Sequence, residues 1–228
     1  MTARIRRPSR FPPVRAAALL VTAAAAVTIS GAAEKPETTP PVSGPPAVSP
    51  ALLLPPGTVP DTPRDTFDVA AALSTSDRSD DGTGCADVTH GRLLRPGDAA
   101  AGQGFQSAAS GGQVSELVAR TVRPVDLAAW AQRARRCGRI TVDDPQGTAV
   151  STVTVRPGPA VPGAETLSYE QVLTLPGQPA ELPGLRLRTV AIAADDVLVV
   201  LRDAGATDLD LDTLAVAAWQ HAAPRLGR

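Results

Sequence analysis

The chain has 228 residues, 43% of them hydrophobic but only 3% aromatic, with 23 prolines and a formal net charge of −1. That length holds one domain with a real core and leaves residues over, while the charge lacks the basic excess of a nucleic-acid binder. Two cysteines and two histidines are too few for a zinc centre unless the fold brings further ligands beside them.

The first fifteen residues carry Arg4, Arg6, Arg7, Arg10 and Arg15 and no acid, and Ala16 to Ala33 follow without a charge. A basic head, an apolar run and small residues at its end make a secretory signal, with Ser30 and Ala32 or Gly31 and Ala33 suited to a signal peptidase. The alternative is an uncleaved anchor, since about 18 apolar residues is the lower limit for a membrane span. In both cases the remainder is exported, and residues 16–33 are the only expected membrane contact. Pro8 and Ser9 fit twin-arginine export poorly. Removal of the leader leaves 17 basic against 23 acidic residues, an acidic mature chain.

Residues 34–63 are crowded with Pro, Thr, Ser and Gly and read as an extended, disordered linker, because such a composition buries too little to offset ordering entropy. Leu52, Leu53 and Leu54 interrupt it and give a second candidate start for the domain otherwise placed at 64–228. Asp77, Ser79, Asp81 and Gly82 fall at calcium-loop positions, but the twelfth position is Val88 rather than a bidentate acid, so an acidic surface loop is the better reading. Cys85, Asp87 and His90 cluster without enough further ligands for zinc. The stretch from Gly91 to Gln113 is rich in glycine and alanine and reads as loop; its glycines lack the Lys-Ser/Thr of a phosphate-binding loop.

Ser115–Val122 reads as a strand leading into a helix over Pro124–Cys137. There Leu127, Trp130, Ala131, Ala134 and Cys137 recur at spacings of three and four, so Cys137 shares the inward face with Trp130. Pro124 suits the first turn and Gly138 the left-handed cap, with Arg135 and Arg136 on the solvated side. Strands are expected at Arg139–Asp143 and Thr148–Val155. Another runs through ETLSYEQVLTL, with Leu167, Tyr169, Gln171, Leu173 and Leu175 on one face. GLRLRTVAIA and DVLVVLRD flank a hairpin turn at Ala194-Asp195-Asp196. A last helix opens at Thr207 with an acid at Asp210 and carries the stripe Leu211, Leu214, Ala215, Ala218 and Ala222. The pattern implies an α+β fold, a mostly antiparallel sheet with helices packed on one face.

An exported chain with two cysteines reads as one disulfide. Cys137 faces inward while a reactive thiolate needs exposure among cations, so Cys85 and Cys137 are expected to pair. Such a bridge closes a loop of about 50 residues, worth about 4 kcal/mol in the chain-entropy model. No G-x-S-x-G elbow accompanies His90 or His221, and Arg120, Arg123, Arg133, Arg135, Arg136 and Arg139 read as a solvated basic rim rather than an anion site. No catalytic, cofactor-binding or metal-binding residue is assigned.

The order LLLPPG (52–57), TGCADV, SGGQVSELVA (110–119), AWAQRARRCGRITV, PGAETLSYEQV and DDVLVVLRD resembles the extracellular sensor-type domains of actinobacteria. These are carried by membrane Ser/Thr kinases of the PknH type and occur in short mycobacterial lipoproteins of unknown function. The resemblance implies an α+β domain with a central antiparallel sheet, a cleft and a location in the cell envelope. Two departures stand out: one cysteine pair where the kinase domains usually have two, and Ala32 where a lipobox would end in cysteine. The expected function is therefore a monomeric, non-catalytic envelope domain binding a small ligand near Trp130 and Tyr169. A structural or protein-interaction module is the alternative.

Overall fold

The structure, a computed structural model, describes residues 47–59, 64–67, 85–106, 112–144, 147–175, 177, 184–204 and 209–227. The leader, most of the linker, the calcium-like positions 77–82 and Thr207 lie outside the described residues.

Eight strands form one sheet: β1 (Arg64–Phe67), β2 (Ala99–Gln106), β3 (Gln113–Arg120), β4 (Arg139–Asp144), β5 (Gly147–Arg156), β6 (Glu165–Thr174), β7 (Leu185–Ala194) and β8 (Val197–Ala204). Their spatial order is β1-β2-β3-β8-β7-β6-β5-β4, and every neighbouring pair is antiparallel. Two meanders thus build the sheet, β1 to β3 and β4 to β8, and the pairing of β3 with β8 joins them, from Gln113↔Ala204 to Arg120↔Val197. The chain passes from the middle of the sheet to its far edge through a helix.

The α+β class and the antiparallel sheet agree with the sequence reading. The helices, expected together, divide between the faces. Helices α1 (Cys85–His90) and α2 (Leu127–Arg136) belong to one cluster with Leu167, Tyr169, Ala191, Ala193 and Leu198, whereas α3 (Leu211–Ala222) packs with Val190, Ile192, Val197, Val199 and Leu201. The cause is visible in β7 and β8, which are buried at consecutive positions from Thr189 to Ala193 and Val197 to Val199. A strand buried on both sides reads as an unbroken apolar run and needs cover on each face.

Strand β2 corrects the loop reading of residues 91–113. AAAGQGFQ has no β-branched residue, so local propensity argues against a strand. Eight consecutive register partners in β3 hold it nonetheless, and Ala101 and Phe105 enter the core. The terminal helix begins later than Thr207: Asp210 is its N-cap, its carboxylate accepting from the N–H groups of Asp212 and Thr213. Likewise α2 starts at Leu127 with Asp126 as its N-cap, so Pro124 lies before the first turn rather than in it, and Cys137 forms the C-cap at φ −89°, with Gly138 absent from the positive-φ positions.

Residues 47–59 are part of the folded unit. Pro50–Leu52 make a 3-10 turn, and Leu52, Leu53, Leu54 and Val59 are buried on the α3 side. Backbone groups of this strap meet buried side chains of the sheet. The N–H of Leu54 donates to both carboxylate oxygens of Glu116, at 3.0 and 3.1 Å, and Gln103 Nε2 donates to the Leu54 carbonyl at 3.1 Å and to Glu116. Glu116 and Gln103 are fully buried cross-strand partners, and between them they tie the strap to the sheet, although Gln103 Oε1 has no partner among the described residues.

Candidate functional site

The sheet face under α1 and α2 changes character along its length. Near the β7–β8 turn it is apolar, with Leu167, Ala193 and Leu198 beneath Leu127. Farther along, the inward positions of four adjacent strands are Ser151, Gln171, Thr189 and Arg202. Ser151, Gln171 and Thr189 are buried to 1% exposure or less. Gln171 Nε2 donates to Ser151 Oγ at 3.0 Å, and Arg202 Nε donates to Thr189 Oγ1 at 3.3 Å. Tyr169 stands where the apolar half meets the polar half.

Helix α2 brings Trp130 onto this boundary and is fastened at both ends. At its start, Asp126 Oδ1 accepts from Ala129 N at 2.7 Å, and Glu165 at the head of β6 accepts from Leu127 N at 3.1 Å. At its end, Cys137 is disulfide-bonded to Cys85 with Cα atoms 5.5 Å apart, and the Gly138 carbonyl accepts from Val153 N at 2.9 Å. Trp130 therefore meets Tyr169 with ring centroids 5.1 Å apart and planes tilted by 31°, a separation favourable for offset aromatic contact. The cysteine that prompts a choice between thiolate and staple is a staple, inside the helix face it shares with Trp130.

Gly91, just past α1, closes the same region. Its φ is +64°, and a Cβ there would fall 1.8 Å from Arg202 Nη2 and 3.1 Å from the Tyr169 hydroxyl. The guanidinium and the phenol oxygen thus converge beside a left-handed glycine, where any side chain would be strained and would have to displace the Arg202 guanidinium. Three buried polar atoms on this face, Trp130 Nε1, Tyr169 Oη and Gln171 Oε1, have no hydrogen-bond partner among the described residues. Leaving such a group unmet costs about 1–3 kcal/mol, and native structures seldom tolerate several together. An indole N–H and a phenol hydroxyl offer hydrogen to an oxygen acceptor, while the amide oxygen accepts from a donor.

Of the residues singled out in the sequence, Cys85 joins Cys137 and Trp130 joins Tyr169. The two rings fill the space between helix and sheet: Trp130 is 6% exposed and Tyr169 1%. Open concavities lie instead at the β7–β8 end. One of about 460 Å³ sits between Pro124, Val125, Glu165 and Asp195, and one of about 340 Å³ sits between Pro162, Trp219 and Pro224. His221 Nε2 lies 3.2 Å from the Ala51 carbonyl, in the strap contact. Arg133 meets Asp87 at 3.8 Å, whereas Arg135 and Arg136 are exposed, as a solvated rim requires. Among the described residues no group of three or more His, Cys, Asp and Glu is placed to hold a metal ion, and no helix is long and apolar enough to cross a membrane. Arg202, Thr189 and Ser151 carry no signal in the sequence; Gln171 does, as a polar residue on the otherwise apolar face of β6.

Solved structures resemble the chain, among them two from mycobacteria. One is an uncharacterized protein of Mycobacterium smegmatis, the ortholog of Rv0999, at 17% identity and a TM-score of 0.47 over 71% of this chain and 86% of that one. The other is the extracellular domain of PknH from Mycobacterium tuberculosis, at 15% identity and a TM-score of 0.40 over 73% of this chain and 79% of that one. No curated protein matches. The model of the family described as "Domain of unknown function (DUF5642)" matches residues 56–203, more than half of the chain, and the chain belongs to that family.

Proposed function

We propose that the protein is an exported, non-catalytic, sensor-like domain of the cell envelope, and that it binds a small polar ligand at the Trp130–Tyr169–Gln171 face, which α2 opens by parting the ring contact that fills it. The observation that carries this reading is the set of three buried polar atoms without partners on one stretch of sheet. Two of them are donors on facing rings and the third is an acceptor one inward position farther along β6. A neutral molecule with a carbonyl or hydroxyl oxygen and an N–H or O–H group completes all three. Export rests on the basic head and the apolar run of residues 1–33 and on the linker composition that follows.

Native mass spectrometry of the protein recovered from its host envelope tests the proposal. The expected spectrum shows a bound species of defined mass. Tyr169→Phe, which deletes one hydrogen bond and little volume, weakens that species about tenfold, as one uncompensated bond of roughly 1.4 kcal/mol requires. Absence of any adduct, together with no saturable binding of envelope glycan, lipid or peptide fragments, would remove the ligand-binding reading.

A further inference from the structure

The sheet face that carries α3 is covered only in part. The helix packs on β7 and β8, and beyond it β4 and β5 present outward side chains to solvent, while β6 does so only in part, Ser168 being buried and the Glu170 side chain 12% exposed. Arg139 and Thr141 of β4 and Thr152, Thr154 and Arg156 of β5 are all exposed, as is Arg186 of β7. The cross-strand register sets Arg139 opposite Thr152 and brings Arg156 into line with β6. β4 is the edge strand of the sheet, whereas β5 and β6 have a partner on each side; the face between them offers side chains, standing at about 4.8 Å across strands and about 7 Å along them.

Its charge is opposite to that of the molecule. The chain without its leader is acidic, yet Arg139, Arg156 and Arg186 outnumber Asp143 and Glu170, the acids that the register of β4 to β6 sets on this face. Glu170 is shared by Arg156 at 2.7 Å and Arg186 at 3.2 Å, whose side chains remain 55% and 66% exposed, and Arg188 is taken by Asp212 of α3. Arg139 has no ion-pair partner among the described residues. The face holds no aromatic residue, and its valines, Val150 and Val172, are half-buried. The apolar anchors that dominate protein–protein affinity are therefore missing. A flat array of hydroxyls with spaced guanidinium groups suits instead an extended chain rich in hydroxyls that carries a negative group on its repeats.

We propose that the open face of β4–β6 docks a linear anionic polysaccharide, with Arg139, Arg156 and Arg186 meeting its negative groups and Thr141, Thr152 and Thr154 its hydroxyls. This inference is independent of the buried aromatic site, which lies on the opposite face and concerns a small ligand.

The test is binding of the full chain to fluorescent polygalacturonate oligomers, with neutral dextran and poly-glutamate as comparisons. Wild-type protein is expected to bind polygalacturonate, to ignore dextran, and to lose affinity as salt screens the guanidinium contacts. Arg139→Gln with Arg156→Gln and Arg186→Gln reduces affinity at least about tenfold, the equivalent of 1.4 kcal/mol. Thr141→Glu with Thr152→Glu, which leaves every ion pair in place, does the same. The triple variant Arg133→Gln, Arg135→Gln, Arg136→Gln, on the other side of the sheet, stays within about twofold. The proposal is overturned if no polygalacturonate binds or if both face variants bind like wild type. It is equally overturned if the α2 variant loses as much, or if poly-glutamate binds as tightly, since bulk charge then explains the affinity.

Discussion

Asp210 does two things at the start of α3. Its carboxylate accepts from the Asp212 and Thr213 amides at 3.1 and 3.2 Å, and from the Thr213 hydroxyl at 2.7 Å. The bonds from Thr213, first through its hydroxyl and then its amide, favour the charged form and hold the Asp210 pKa below the ordinary carboxylate value, against a small opposing effect of burial. Because the folded pKa is the lower one, the stabilisation is present above the unfolded carboxylate's pKa and is lost as pH falls through the folded value. Asp210→Ala is expected to lower stability by about 1 kcal/mol at neutral pH, as loss of an N-cap does. The gap between variant and parent narrows below the ordinary carboxylate range, which thermal melts across acid pH will show. This cap also marks where local reading of the sequence stops: Thr207 and Asp210 are both residue types that cap helices, and the helix starts at Leu211, which is fully buried. Glu116 and Gln103 lie further beyond reach. Their burial depends on the strap 49 to 62 residues away, and nothing in their own neighbourhood announces it.

Helix α2 was legible because its apolar spacing is strong and its end is marked by a cysteine that had to face inward. The staple it forms with α1 affects one face of the sheet only. Reduction, or Cys85→Ser with Cys137→Ser, is expected to cost about 2–5 kcal/mol. Hydrogen exchange should then accelerate first in α1, α2 and the amides near Gly138, while α3 and the strap keep their protection nearer to the global opening limit. Uniform acceleration over both faces would show that the staple acts on the unfolded chain alone. Strands β5 to β8 were equally legible, through Thr and Val in β5 and long apolar runs in β7 and β8. Strand β2 was not, because alanine and glycine give no β signal and its place depends on partners in β3.

At the scale of the molecule, antiparallel hairpins could be read in chain order, whereas the pairing of β3 with β8 could not. It links segments separated by a helix and four strands, and it turns two meanders into one sheet. The same pairing buries β7 and β8 on both sides and so calls for helices above and below. The aromatic pair was legible as two residues with helical and strand alternation, but its polar surroundings were not, since they come from four strands. His221 of α3 reaches the carbonyl of Ala51, and Arg120 of β3 holds the Leu226 carbonyl, so the strap and the last turn lie side by side. Domains with adjoining ends tolerate rewiring. A permutant that joins Gly227 to Val48 by a short glycine-serine link and opens the loop at exposed Gly163, where a Cβ would meet nothing within 4 Å, is expected to fold and melt cooperatively; a molten spectrum would refute this. The native order of elements is then one of several linear cuts through a closed ring.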